Sequence, residues 1–488
     1  MRETSSKATS HAPQYSSNGV SKAHDWASAS IAELNAAYNL GETTPEEVTE
    51  EVFSRITRDT SLNAYHVVTQ DEARAAARAA TARRREGHSL GPLDGVPVTV
   101  KENLGRRGVT MPSGAAALSN PPIPTHDSPV VERLREAGAI IVGSTVMPDW
   151  GMLSSGVSSL HGVTRSSWDP ELTTGGSSSG AAVTAASAHG PVHFGTDIGG
   201  SIRLPGTWNG LATLKPSAGL IPLDQPYVGR AAGPMGRRTA DLFSAMAVTA
   251  RWDDRDVSTH PYPTIDFTPR TRSPEGLRVG VHIDGAIGHP LDPEVRAACL
   301  AAAEQFAAAG AEVSDIPPLT TTDLLTRIDR FWRARSLNTL RHLPAEAQHG
   351  AILDYVERWC RGAEGLDGAT VVGDFEALND LGARTRELTR DFDLILSPVT
   401  PELAFPASEP MPRANPDLPM GHISYTVPFN MSGQPAGTIN AGRAIDGRWI
   451  GLQVAGSIGS DADILAVMAW WEQVRPDDAT PPWSHLDD

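Results

Sequence analysis

Hydrophobic and polar positions along the 488-residue chain fall into two regimes. Near the start the spacing is helical. Ser30-Ile31-Ala32-Glu33 has the form of a capping box, and Gly41 follows the periodic apolar run as a stop. A second helix is predicted directly after it: Thr44 offers a hydroxyl at the N-cap, Pro45 fits the first helical position, and Glu46 and Glu47 bring carboxylates to the positive end of the dipole. From about Gly91 short apolar runs alternate with amphipathic stretches. VPVTV (96–100), SPVVERLREAG (128–138) and AIIVG (139–143) form one such set. LRVGVHI (277–283), an Ala-rich stretch from about Glu294 to Ala309 closed by Gly310, and AEVSDI (311–316) form another, and FDLILSP (392–398) follows. A β-rich run, an amphipathic helix and a second β-rich run make a crossover unit. The chain is therefore expected to be α/β: a single α/β/α domain with a large mixed, mostly parallel twisted sheet flanked by helices. The stretch 320–390 has helical periodicity, few β signals and Phe331, Trp332, Tyr355 and Trp359, so it is expected to form a helical cap over the sheet. Residues 1–25 are polar and Ser-rich and are expected to be disordered, leaving 26–480 as the domain.

Composition narrows the function. A 40% hydrophobic fraction suits a globular chain with a sizeable core. Lys and Arg number 41 against 58 Asp and Glu, a net charge of −17 that repels phosphate backbones and anionic membrane surfaces. Nucleic acid and membrane are not expected partners. Only Cys299 and Cys360 occur, each in a helical stretch and with no Cys/His cluster around it, so buried thiols in a cytoplasmic protein are expected and no metal. No apolar run approaches the ~20 residues that span a bilayer. A monomer or homodimer without a cofactor is expected.

The chemistry concentrates between Gly175 and Gly210, GGSSSGAAVTAASAHGPVHFGTDIGGSIRLPGTWNG. Small residues at this density permit unusual dihedrals and close approach of backbone amides to a ligand. A flexible linker would not contain the helix-like AAVTAA and the apolar VHFGTDI. Gly176 to Gly180 formally match G-x-S-x-G with Ser178 at the elbow, but no HGGG-type motif precedes them. A phosphate loop fails for want of GxxxxGK[ST], and no S-x-x-K element fits. A base other than histidine is required. The nearest upstream is Lys101 in DGVPVTVKEN, which is either a solvated strand flank or a base kept neutral by burial. His189 and His193 stand four apart, but Gly190-Pro191 breaks any helix that would make them metal ligands.

GGSSSG followed by GTDIGGSIRLP, with GVPVTVKEN upstream, resembles the amidase signature family of Ser-cisSer-Lys amide hydrolases. The resemblance continues through DSPVVERLREAGAIIVGSTVMPDWG, GVTRSSWDP, GPMGRRTADL and VPFNMSGQPAGTINAG, and covers roughly residues 26 to 475. It implies the amidase signature fold and a hydrolase for the carboxamide bond of a small molecule, with ester, carbamate or urea-type bonds as further substrates. It also implies Ser201 as nucleophile, Ser177 as bridging serine on a cis peptide, and Lys101 as terminal base. The backbone amides of Ile198, Gly199, Gly200 and Ser201 would form the oxyanion hole. Ser178 would assist the relay, Asp197 and Arg203 would brace the turn, and Met111, Met147 and Trp150 would line the acyl pocket. The chain departs from the family pattern at Ser179 and at Gly206, where a glycine and an alanine are usual. Two other roles stay open within the resemblance: a glutaminase-type subunit of a tRNA-dependent amidotransferase, and a non-catalytic amide-binding relative. The negative charge and the 320–390 insertion weigh against the first, and the intact Lys101, Ser177 and Ser201 against the second.

Overall fold

The computed structural model describes residues 24–483 apart from residues 119, 120, 122, 260, 285, 286 and 419. Of the stretch 1–25, residues 1–23 lie outside the described residues. Asp25 is described, and its carboxylate pairs with Arg55, so order begins before residue 26. The first two helices, Ile31–Leu40 and Pro45–Arg58, both start with a complete capping box, Ser30 with Glu33 and Thr44 with Glu47. Gly41 closes the first at φ 71°, where a side chain would be strained.

Thirteen strands are described. They are β1 (Tyr65–Val68), β2 (Pro97–Lys101), β3 (Ile140–Thr145), β4 (Val157–Ser158), β5 (Gly162–Val163), β6 (Val192–Asp197), β7 (Ala212–Lys215), β8 (Ala231–Gly236), β9 (Arg278–Val281), β10 (Glu312–Asp315), β11 (Leu394–Pro398), β12 (Ala436–Arg443) and β13 (Trp449–Gly456). All but β4 and β5 join one sheet of 11 strands in the order β1-β3-β2-β6-β8-β7-β12-β13-β11-β9-β10. The sheet is mixed, but among the described residues it is not mostly parallel. Parallel pairs occur only on the flanks, β3-β2-β6 and β11-β9-β10, where helices make the crossovers. The whole centre from β6 to β11 is antiparallel. The physical reason is the connections: β12 and β13 are joined by a tight turn over residues 444–447, and such a turn can return a chain only antiparallel.

Helices cover both faces. The helix Ser179–Ala186 is buried at every residue and runs against β6 and β8, which its alanines and Gly180 allow. A Cβ on Gly180 would stand 2.2 Å from the Ala64 carbonyl oxygen. In the stretch 320–390 three helices, Thr322–Arg341, Asp354–Arg361 and Gly368–Thr389, share a hydrophobic cluster of their own. That cluster reaches Leu204, Trp208 and Ile423 and so packs against the loop that carries Ser201.

Candidate active site

Three chain segments converge at one end of the sheet. β2 ends on Lys101, which sits in the sheet interior among residues with no solvent exposure. Residues 175–178 lead into the all-buried helix, and the Gly176–Ser177 peptide is cis. Residues 197–201 follow β6 directly. β2 and β6 are parallel neighbours, so their ends reach the same edge, and this register brings residues almost a hundred positions apart together.

Lys101 Nζ donates to Ser177 Oγ at 2.7 Å and to Ser178 Oγ at 3.2 Å. Burial pushes the Lys101 ammonium well below the usual lysine range, and the charge of Arg230 pushes the same way, against Asp197 and Glu102. Ser178 Oγ also donates to the Thr196 carbonyl and accepts from the Thr196 amide, both at 3.2 Å, so it locks the segment of Ser177 and Ser178 to β6. The Ser178 amide donates to the Ser201 carbonyl at 3.1 Å and fastens the two serine segments to each other. Ser177 is buried, while Ser201 is half-buried on a cavity wall. Solvent and ligand therefore meet Ser201 first.

The Ser201 loop is shaped by an interior ion pair. Asp197 and Arg203 are both fully buried and joined by two hydrogen bonds, 3.1 and 2.9 Å. Burial alone would raise the Asp197 carboxyl; the Arg203 charge, with hydrogen bonds from Arg203, Asn430 and the Ile202 amide, holds it far below the usual range. Its Oδ1 also accepts the Gly200 amide at 2.8 Å. The four amides expected to converge on one oxygen are therefore divided. Gly200 is turned inward to the carboxylate, whereas Ile198, Gly199 and Ser201 have no hydrogen-bond acceptor for their amides among the described residues. Ile198 and Gly199 are half-buried and line the cavity with Ser201. Gly200 turns at φ 125°, and a Cβ there would stand 2.8 Å from Thr426 Oγ1, so glycine is required on both counts.

The cavity has a volume of about 570 Å³. Met111, Met147 and Trp150 lie on its wall. The lining also includes residues for which the sequence pointed to no site role: Trp332, expected only as part of the helical cap, and Arg335 from the helix Thr322–Arg341, and Tyr227 and Arg230 from the segment before β8. Arg335 lies 4.0 Å over the Tyr227 ring. Arg230 donates to the Gln225 and Asn103 carbonyls at 3.0 and 3.3 Å, and the charge of Arg335 acts on it. No carboxylate lines the cavity among the described residues. The only signal for Arg230 was its position ahead of GPMGRR, and Arg335 carried none, because helix packing alone brings it there.

The remaining sequence candidates have structural partners. His189 bonds Tyr65 and Asp59, and His193 bonds Thr99 and Thr184, so the two do not form a pair. Ser179 Oγ donates to the Val146 carbonyl at 3.3 Å, a contact that accommodates the departure from glycine. Gly206 is tight in this chain: a Cβ would stand 2.5 Å from Thr213 Cγ2.

At one end of a large mixed sheet, then, a buried lysine is hydrogen-bonded to two serines. The chain belongs to the amidase family, whose sequence profile matches residues 47–465. It is 32% identical over 492 residues to the A-type subunit of glutamyl-tRNA(Gln) amidotransferase from Synechococcus sp. (strain RCC307), covering 93% of this chain and 99% of that one. It is 30% identical over 457 residues to an acylamidase of Rhodococcus erythropolis, covering 92% and 95%. Among solved structures it superposes on a bacterial aryl acylamidase of the amidase signature family with a TM-score of 0.83 at 24% identity, covering 94% and 97% of the two chains. A 6-aminohexanoate cyclic dimer hydrolase gives 0.82 at 25%, covering 96% and 100%. The protein is thus an amidase signature hydrolase. No helix among the described residues is long and apolar enough to cross a membrane.

Proposed function

We propose that this chain hydrolyses the carboxamide bond of a small molecule that carries an anionic group, through an acyl-enzyme on Ser201. One observation carries the reading: a fully buried lysine amine rests 2.7 Å from the Ser177 hydroxyl, in a segment hydrogen-bonded to the Ser201 loop. Ser201 Oγ adds to the amide carbon as its proton passes to Ser177 Oγ, and the Ser177 proton passes to Lys101 Nζ. The oxygen that becomes negative is met by the amides of Ile198, Gly199 and Ser201, each such donor being worth about 3 kcal/mol in a transition state. The proton then returns through Ser177 to the departing nitrogen, the C–N bond breaks, and water removes the acyl group by the same relay in reverse.

Arg230 and Arg335 support the anionic preference, because two guanidinium groups face a cavity without a lining carboxylate. The kinship with amidotransferase subunits raises glutamine as a second substrate. Its ammonium group would meet the same two cations with no acid among the described lining residues, so it fits less well than an N-acyl amide bearing only a carboxylate. Covalent labelling with a fluorophosphonate is expected in the wild type and lost in Ser201→Ala. A panel of anionic, neutral and cationic amides, with glutamine included, is expected to rank in that order of kcat/KM. Absence of labelling would overturn the nucleophile, and a preference for cationic amides or glutamine would overturn the substrate class.

A further inference from the structure

Glu102 directly follows Lys101 but serves a different site. Its side chain is 1% exposed, and no arginine or lysine among the described residues lies within ion-pair distance of it. Its Oε1 has no hydrogen-bond partner among the described residues. A carboxylate in that setting is costly unless a cation meets it, because buried charges in proteins are paired or coordinate a metal. Two histidines face it. His161 Nε2 is 3.0 Å from Oε2, and His66 Nδ1 is 3.8 Å from the same atom. One donor atom from each of the three residues lies within 4.8 Å of the other two. The second nitrogen of His66, Nε2, bonds Thr110 Oγ1 at 3.2 Å. That contact orients the ring, and with Nε2–H donating to the hydroxyl the Nδ1 lone pair is left for a cation held between it and the carboxylate, the usual arrangement behind a metal-bound imidazole.

We propose that His66, Glu102 and His161 form a binding site for a zinc-type divalent cation, with water completing the coordination. Two imidazole nitrogens and one carboxylate are a donor set that suits borderline ions rather than calcium or magnesium. Cysteine spacing gave no hint of such a site, because its three ligands lie far apart in sequence, on β1, just after β2, and in the turn between β4 and β5. The cation joins those three segments beside the end of the strand that carries Lys101, so its role is to clamp the site's framework.

The test is titration of the tag-free full chain, stripped with chelator, with Zn2+ by calorimetry and with Co2+ by visible absorption. One equivalent is expected, with an absorption band of low-coordinate Co2+ and a rise in Tm on Zn2+ addition. His66→Ala and His161→Ala are each expected to weaken Zn2+ binding at least roughly 100-fold, and Thr110→Val roughly 10-fold through the orientation of His66. His66→Asn and His161→Gln keep polar groups in place and are expected to lose the metal equally, should the alanine variants fail to fold. Uptake of less than half an equivalent by the wild type, or uptake unchanged in the histidine variants, would overturn the site.

Discussion

Among the described residues two lysines are enclosed, Lys101 at the end of β2 and Lys215 at the end of β7. Burial pushes both amines down from the usual lysine range. Their partners differ. Lys215 Nζ donates at 2.9 Å to the Pro216 carbonyl, an oxygen that can only accept, and the two acids that act on it are already engaged, Asp197 by Arg203 and Asp461 by the Ser217 amide and hydroxyl. Lys101 meets two hydroxyls, groups that accept a proton on one side and release one on the other. Ser177 also adjoins Ser178, whose amide donates to the carbonyl of the half-buried Ser201, and neither lysine lines the cavity itself. Desolvation favours the neutral amine at both lysines; in the proposed mechanism it is the adjoining hydroxyls that make Lys101 a base for a group outside.

The largest effect expected from this contrast is on turnover. Lys101→Met should lower kcat about 10³-fold or more while leaving the melting temperature unchanged or higher, since it removes a desolvated amine; stopped-assay kinetics and calorimetry together check this. Arg203→Ala should cost about 3–5 kcal/mol of stability, because it strands Asp197 as an unpaired interior charge, measurable by urea unfolding. Smaller again is the pH response of two buried histidines. Burial lowers His282 to about 4 and His422 to about 3. Their stabilising contribution is complete above the ordinary value of 6.5 and is lost as pH falls toward the folded values, since the unfolded chain then binds the protons. Each should cost about 2 kcal/mol between pH 7 and pH 5, and His422→Gln should flatten the curve. The least effect is expected from Lys215→Met: turnover within about threefold of wild type, because replacing an interior charge by an apolar side chain is often neutral. A large loss of turnover there would break the distinction between the two lysines.

The flanks of the sheet, apart from the edge strand β1, were legible in the sequence and its centre was not. β2, β3, β6, β9, β10 and β11 are runs rich in valine, isoleucine and leucine or bounded by turn residues, and each coincides with an apolar run in the pattern. β8 reads Ala-Ala-Gly-Pro-Met-Gly and still pairs with β6 across its full length, Pro234 opposite Phe194. β12 is likewise rich in alanine and glycine. Such sequences have low strand propensity, and their place is imposed by burial between neighbours rather than by local preference. At the site the difference is the same in kind. Lys101, Ser177 and Ser201 stood out through motifs, each carried on a glycine-rich or strand-end context. Arg335 and Trp332 did not, for they sit on an ordinary amphipathic helix and acquire meaning only where that helix docks. The inward turn of the Gly200 amide was also beyond reach, because it depends on the Asp197 carboxylate that Asn430 and Arg203 hold in position.

Arg203 has one more property, visible in the order of synthesis. Besides Asp197 it grips the Thr426 carbonyl at 3.0 Å, Asn430 at 2.6 Å and Gln453 at 2.7 Å, the last 250 residues further along the chain. A growing polypeptide in which Ser201 has already left the ribosome still lacks the groups that hold its loop. The hydrogen bonds that fix this loop are therefore completed only once β13, which carries Gln453, has been made.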